Sequence, residues 1–156
     1  MPDPKLFTAF NFRVEITVPG LFDDDVCEAA FSDCDGLEMT MAVRTFQEGG
    51  NNTQQVQLAG PVSYGQVTLK RGMSADFGLW RWFQELMKTD KRGLRGQASI
   101  VMLGADGSEQ ATFALKDCIP LKLKGPALSA REGVIAIEEM QIAYAALELK
   151  MPGVPS

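Results

Sequence analysis

The 156 residues are 46% hydrophobic and 22% charged, which is enough apolar matter for a sizeable core and too much for default disorder. A net charge of −5 argues against a surface built to coat nucleic acid, and the absence of histidine removes the commonest general base, triad partner and metal ligand. The length fits one domain over residues 1–156, with an ordered core over about 7–149 and a loose tail over 150–156.

In chain order, Phe10, Phe12, Val14, Ile16 and Val18 alternate with Asn11, Arg13, Glu15 and Thr17. That is the pattern of a half-buried antiparallel strand, ended by Pro19-Gly20. Asp23-Asp24-Asp25 lack the alternate-residue spacing of a calcium loop and read as a solvated turn. A second strand is expected over Val26 to Cys34. Leu37, Met39, Met41 and Val43 then alternate with Glu38, Thr40, Ala42 and Arg44, giving a strand to about Phe46 with its methionines as flexible packing.

The stretch from Gln47 to Gln55 is polar and holds Gly49-Gly50. It has no Lys-Ser/Thr ending and no following helix, so it is not a phosphate loop. It reads as a long flexible arm between strands, with Phe46 as the apolar anchor at its root. Val56 and Leu58 begin a short strand that Gly60-Pro61 breaks, and Tyr64 to Arg71 forms another.

A helix is expected over about residues 75–89. At 100° per residue, Leu79, Trp80, Trp82, Phe83, Leu86 and Met87 share one arc, while Arg81, Gln84, Glu85 and Lys88 share the opposite one. Ser74 or Asp76 suits its N-terminus. Trp80, Trp82, Phe83 and Leu86 are the expected plug against which the strands pack.

Beyond it, Ala98 to Leu103 is apolar on both faces and reads as a central strand. Ala105-Asp106-Gly107-Ser108 is a hairpin turn, and Ala111, Phe113 and Leu115 return antiparallel. Ile119, Leu121 and Leu123 mark one more strand, with Pro120 at its start or on an edge. Gly133 to Leu149 reads as a last strand, in which a bulge at Glu138 or Glu139 would reconcile the phase of Ile135 and Ile137 with that of Met140, Ile142 and Tyr144. Cys27, Cys34 and Cys118 stand at no metal-ligand spacing, and Met1-Pro2-Asp3-Pro4-Lys5 holds no apolar signal core, so reduced and mostly buried thiols are expected.

Several segments in this order carry a resemblance. They are Phe10-Asn11-Phe12-Arg13-Val14, Asp33-Cys34-Asp35-Gly36-Leu37-Glu38, Phe46-Gln47-Glu48-Gly49-Gly50-Asn51, Val67-Thr68-Leu69-Lys70-Arg71-Gly72, the tryptophan-bearing helix, Cys118-Ile119-Pro120-Leu121-Lys122 and Val134 to Met140. Together they resemble the inner tube proteins of contractile phage tails and extracellular contractile injection systems. The family often has a plainer Ser-Gly-Leu where this chain has Cys34-Asp35-Gly36-Leu37, and the Asp23–Asp25 cluster is outside the pattern.

The resemblance implies a mainly β fold, an antiparallel β-barrel or sandwich with one flanking α-helix. It implies six copies in a ring, rings stacked into a hollow tube inside a contractile sheath, and passage of cargo or DNA through the lumen. The implied partners are further copies of the chain, sheath, baseplate and spike proteins, and transiently a target membrane. Assembly would be cytoplasmic, within a phage tail or a released tail-like particle. No catalytic chemistry, cofactor or metal is implied. Phe46, Gln47, Glu48, Gly49, Gly50, Asn51 and Asn52 are the expected ring-stacking contact. Two rivals are a carbohydrate- or ligand-binding β-sandwich, disfavoured because most aromatics lie in strand or helix patterns, and a hydrolase pairing Glu38 or Glu48 with an Asp.

Overall fold

The computed structural model describes residues 6–7, 11–22, 27–29, 31–47, 55–131 and 133–151. In chain order its elements are β1 (Phe12–Thr17), β2 (Cys27–Ala29), β3 (Asp33–Asp35), β4 (Met39–Gln47), β5 (Gln55–Tyr64), β6 (Gln66–Gly72), α1 (Gly78–Leu86), a 3₁₀ turn (Thr89–Lys91), β7 (Gly96–Leu103), β8 (Glu109–Lys124), β9 (Ile137–Ala143) and β10 (Ala146–Lys150). Phe10, Val26 and the Asp23–Asp25 turn lie outside the described residues.

Alternation decides the sheet. Val14 and Ile16 of β1 are fully buried between half-exposed Arg13, Glu15 and Thr17, so one face turns to the core and the other to water. Eight strands join antiparallel in the order β2-β1-β7-β8-β9-β6-β3, with β10 added beside the first half of β8. β8 is the corner. Its early residues pair with β7 and β10, and its later ones with β9 alone among the described residues. The chain turns between these halves at Asp117, which holds a positive φ of 54°. The folded-over sheet closes on Ile16, Ile100 and Leu115 from one side and on Val67, Leu69, Met140 and Ile142 from the other. This is the barrel-like antiparallel fold with one flanking helix.

The helix plugs that core. Trp82 and Leu79 are fully buried, whereas Trp80, Phe83 and Leu86 are half-buried and Met87 faces out. Trp82 lies so close to β7 that a Cβ on Gly96 would sit 3.0 Å from its ring. The helix is shorter than the 75–89 expected. Asp76 is spent before it, its Oδ1 accepting the Gly78 N–H at 3.0 Å, and Lys88 is extended.

Four strand boundaries differ from the sequence reading. Val26 to Cys34 is not one strand: β2 pairs with β1, β3 pairs with β6, and buried Phe31 marks the crossing between them. β5 runs through Gly60-Pro61, which a two-stranded ribbon accommodates as a bulge. Ile119 to Leu123 continues β8, and Pro120 is tolerated where β9 is the one partner strand among the described residues. Gly133 to Leu149 is two strands, β9 and β10, with residues 133–136 outside both.

No bulge lies at Glu138 or Glu139, since β9 keeps continuous register with β6 from Ile137 to Ala143. The phase is reconciled instead by burying Glu138. It faces inward with Met140 and Ile142, leaving Ile135 and Ile137 exposed. Its cross-strand partner is Arg71, which shares the inward face of β6 with Val67 and Leu69. Glu138 Oε1 accepts from Arg71 Nε, and Oε2 accepts from Trp80 Nε1 at 2.8 Å. Arg71 also donates to the Asp76 carbonyl at 3.0 Å, pairs with its carboxylate at 3.3 Å, and lies 5.2 Å over the Phe31 ring.

Two outcomes follow from this packing. Trp82→Ala is expected to lower stability by ~3–5 kcal/mol in urea unfolding, since a buried aromatic is truncated in a filled core; a loss well under about 1 kcal/mol would mean that the helix does not plug the core. Burial, with the Asp35 charge adding to it, pushes the Cys34 thiol up to about 11. Burial also pushes Cys118 up to about 12, opposed by a backbone hydrogen bond from Ala98 and helped by Asp117. The reactive thiolate is therefore scarcer at pH 8 in the fold than in the unfolded chain. Iodoacetamide at pH 8 should modify both residues slowly in native protein and fully in denaturant, and equal rates in the two states would contradict the burial.

Candidate functional site

The part of the molecule that its own core does not explain is the ribbon β4–β5. These strands form a separate two-stranded sheet and, among the described residues, pair only with each other, from Met39↔Tyr64 at the root to Gln47↔Gln55. Nine residues in β4 give a reach of about 30 Å.

The root is tightly built. Gly36 has a φ of +108°, and a Cβ there would meet the Gln66 carbonyl oxygen at 1.9 Å, so only glycine fits. The buried Tyr144 hydroxyl lies 2.7 Å from the Gly36 carbonyl and 3.0 Å from that of Glu38, and it accepts the Glu38 N–H at 3.0 Å. The Gly65 N–H donates to the Glu38 carbonyl at 3.2 Å, closing the ribbon's base. The Tyr64 ring sits 5.7 Å from that of Tyr144. Glu38, weighed above as half of a carboxylate pair, thus serves the root through its backbone.

The rest of the arm is exposed and apolar. Met39, Met41, Val43, Phe46, Val56, Leu58 and Val62 are each between 40% and 62% exposed. Arg44 is the one charged residue in β4 and β5. A two-stranded ribbon is at best marginally stable alone in water, and an isolated subunit rarely keeps so large an apolar patch without a partner.

Of the residues singled out in the sequence, Phe46 and Gln47 end β4, with Phe46 paired to Val56 and 56% exposed. Glu48, Gly49, Gly50, Asn51 and Asn52 lie outside the described residues. Trp80, Trp82, Phe83 and Leu86 belong to the helix, which packs against the core and β8. The exposure of the apolar residues lower on the arm, from Met39 to Val43 and at Leu58 and Val62, was not legible because their alternation read as packing within the chain. The body carries small clefts, one of about 160 Å³ lined chiefly by Phe12, Cys34, Leu37, Ile100 and Phe113. A shallower one lies beside Phe83, Met87 and Pro120. Neither of these two brings converging charged groups together, whereas a third cleft is lined by Glu15, Lys116 and Lys150. Among the described residues no helix is long and apolar enough to cross a membrane.

The family model for T4-like virus tail tube protein gp19 matches residues 8–148. A chain in the cryo-EM structure of the anti-feeding prophage baseplate, 6-fold symmetrised, superposes with a TM-score of 0.78 at 21% identity, covering 99% of this chain and 100% of that one. A chain of the PVC sheath–tube complex of an extracellular contractile injection system, in the extended state, gives 0.76 at 16% identity, covering 94% and 92%. A chain of the anti-feeding prophage tube terminating cap gives 0.74 at 15% identity, covering 97% and 95%. At these identities the superpositions show a shared fold. No curated protein matches the chain in sequence.

The root geometry makes a direct forecast. Gly36→Ala should lower the unfolding midpoint and loosen the arm, so that trypsin cuts after Arg44 faster than in the parent protein. Unchanged stability together with unchanged cleavage would mean that the root is not held at Gly36.

Proposed function

The chain belongs to the T4-like virus tail tube protein family, and from that premise we propose that it is a structural subunit of the inner tube of a phage tail or contractile injection system. Six copies close into a ring, rings stack into a hollow tube, and contraction of a surrounding sheath drives that tube through a target envelope. Cargo or DNA passes along the lumen. The role is mechanical, with no catalytic chemistry and no cofactor. Sheath, baseplate and spike proteins are its partners, and assembly takes place in the cytoplasm before the particle acts on a target membrane.

The observation that carries this reading is the rigidly rooted, apolar arm β4–β5. Open strand edges add to it: β2 and β3 end the sheet, and neighbours in a ring can pair such edges in a contact that repeats until the rotation closes. Six-fold symmetry of the anti-feeding prophage baseplate and the sheath–tube composition of the PVC complex support the ring number and the sheath partner.

Phe46 to Asn52 are the proposed ring-stacking contact, with Phe46 as anchor and Glu48, Asn51 and Asn52 as polar, partly wet contacts. Electron microscopy of the purified protein should show six-fold rings and tubes. Replacing Glu48–Asn52 by a short turn should leave folded subunits and rings but no long tubes. Shortened protein that forms tubes of normal length and stability would overturn the stacking role.

A further inference from the structure

The arm turns its apolar surface over half-way along. On β4, Met39, Met41 and Val43 share one face and Phe46 lies on the other. On β5 the sequence alone would put Val56, Leu58, Gly60, Val62 and Tyr64 on a single face. The ladder breaks that phase. Met41 pairs with Val62, but Val43 pairs with Ala59, so β5 uses one more residue than β4 across Gly60-Pro61. Gly60 suits the site, because a Cβ there would lie 2.6 Å from the Ala42 carbonyl oxygen.

Cross-strand partners share a face. In the root half, Met39 and Met41 therefore lie with Tyr64 and Val62 on the first face, and Thr40 lies with Ser63 on the second. In the tip half the second face is the apolar one, where Phe46 pairs with Val56 and Arg44 with Leu58. The first face there carries the Val43–Ala59 pair beside the bulge and then Thr45 with Gln57.

A ribbon lying on one surface buries one face. We propose that the arm is clamped between two other copies of this chain, one covering the root face at Met39, Met41 and Val62, the other covering the tip face at Phe46, Val56 and Leu58. This rests on the tube reading above, in which each arm meets further copies of its own chain. Charge agrees with that partner: Arg44 is the one charge on the two strands, and the chain without it carries −5 − 1 = −6. A single cation is too little for a nucleic-acid surface, yet it is complementary to an acidic neighbour.

A benzophenone amino acid placed at Met41 or at Leu58, in full-length protein doped at a low ratio into the parent chain, tests the clamp. In assembled tubes each position should crosslink chain to chain, and the two should map to non-overlapping peptides. Dispersed subunits should give neither product. Tubes in which both positions reach the same peptide, or in which one position reaches none, would overturn the clamp and leave the tube reading standing. Parent protein that forms no tubes would end both. Met41→Glu and Leu58→Glu should each abolish tubes without moving the unfolding midpoint, whereas Gln57→Glu, on the polar side of the tip, should keep them. Tubes formed by either of the first two would equally overturn the proposal.

Discussion

Everything else in the fold is arranged around one buried ion pair. Glu138 is fully buried and Arg71 nearly so, and both stand at inward positions where a β-strand would ordinarily place aliphatic residues. Charges there are tolerable because each polar atom is used: the carboxylate takes Arg71 on one oxygen and the Trp80 indole on the other, and the guanidinium reaches Asp76. The pair thereby joins β6 and β9 to the N-terminus of α1 and, through the ring of Phe31, to the crossing between β2 and β3. Such a pair is not a large net source of stability against an apolar replacement, but deleting one partner strands the other and costs about 3–5 kcal/mol. Its effect is to fix where the helix docks. That docking drives Trp82 against Gly96 and completes the core.

The arm obeys the opposite logic. It is held hard at the root by Gly36, Gly65 and Tyr144, and beyond the root it offers apolar side chains to solvent. A close backbone fit and the Tyr144 hydrogen bonds thus launch two strands whose apolar side chains stay exposed. In the proposed tube, rigid body and exposed arm would be the two halves of the subunit: the first fixes the direction in which the second is presented.

How far this was legible in the sequence depends on whether a pattern names its own partner. The helix was legible because six apolar residues at helical spacing need a core, and Trp82 found one. β1 and β7 were legible for the same reason. Glu138 was not, because in a string of alternating residues a lone acid reads as the solvent phase; its inward partner Arg71 lies 67 positions away. The split of Val26 to Cys34 was hidden because the residues on either side of Phe31 suit strands in either sheet. Met39, Met41 and Val43 misled most. Alternation shows that one face of a strand is covered, without saying whether the cover belongs to the same molecule. The ordered motifs from Phe10 to Met140 supplied what periodicity lacked, and the family match over residues 8–148 agrees with them.

Hydrogen–deuterium exchange on dispersed subunits and on assembled protein compares the two halves directly. Amides of Val67–Arg71 and Glu138–Ile142 should be slow to exchange in both states, while those of Met41–Phe46 and Val56–Val62 should be fast in subunits and become slow on assembly. Arm amides that are already slow in dispersed subunits, or that stay fast in assembled tubes, would contradict this.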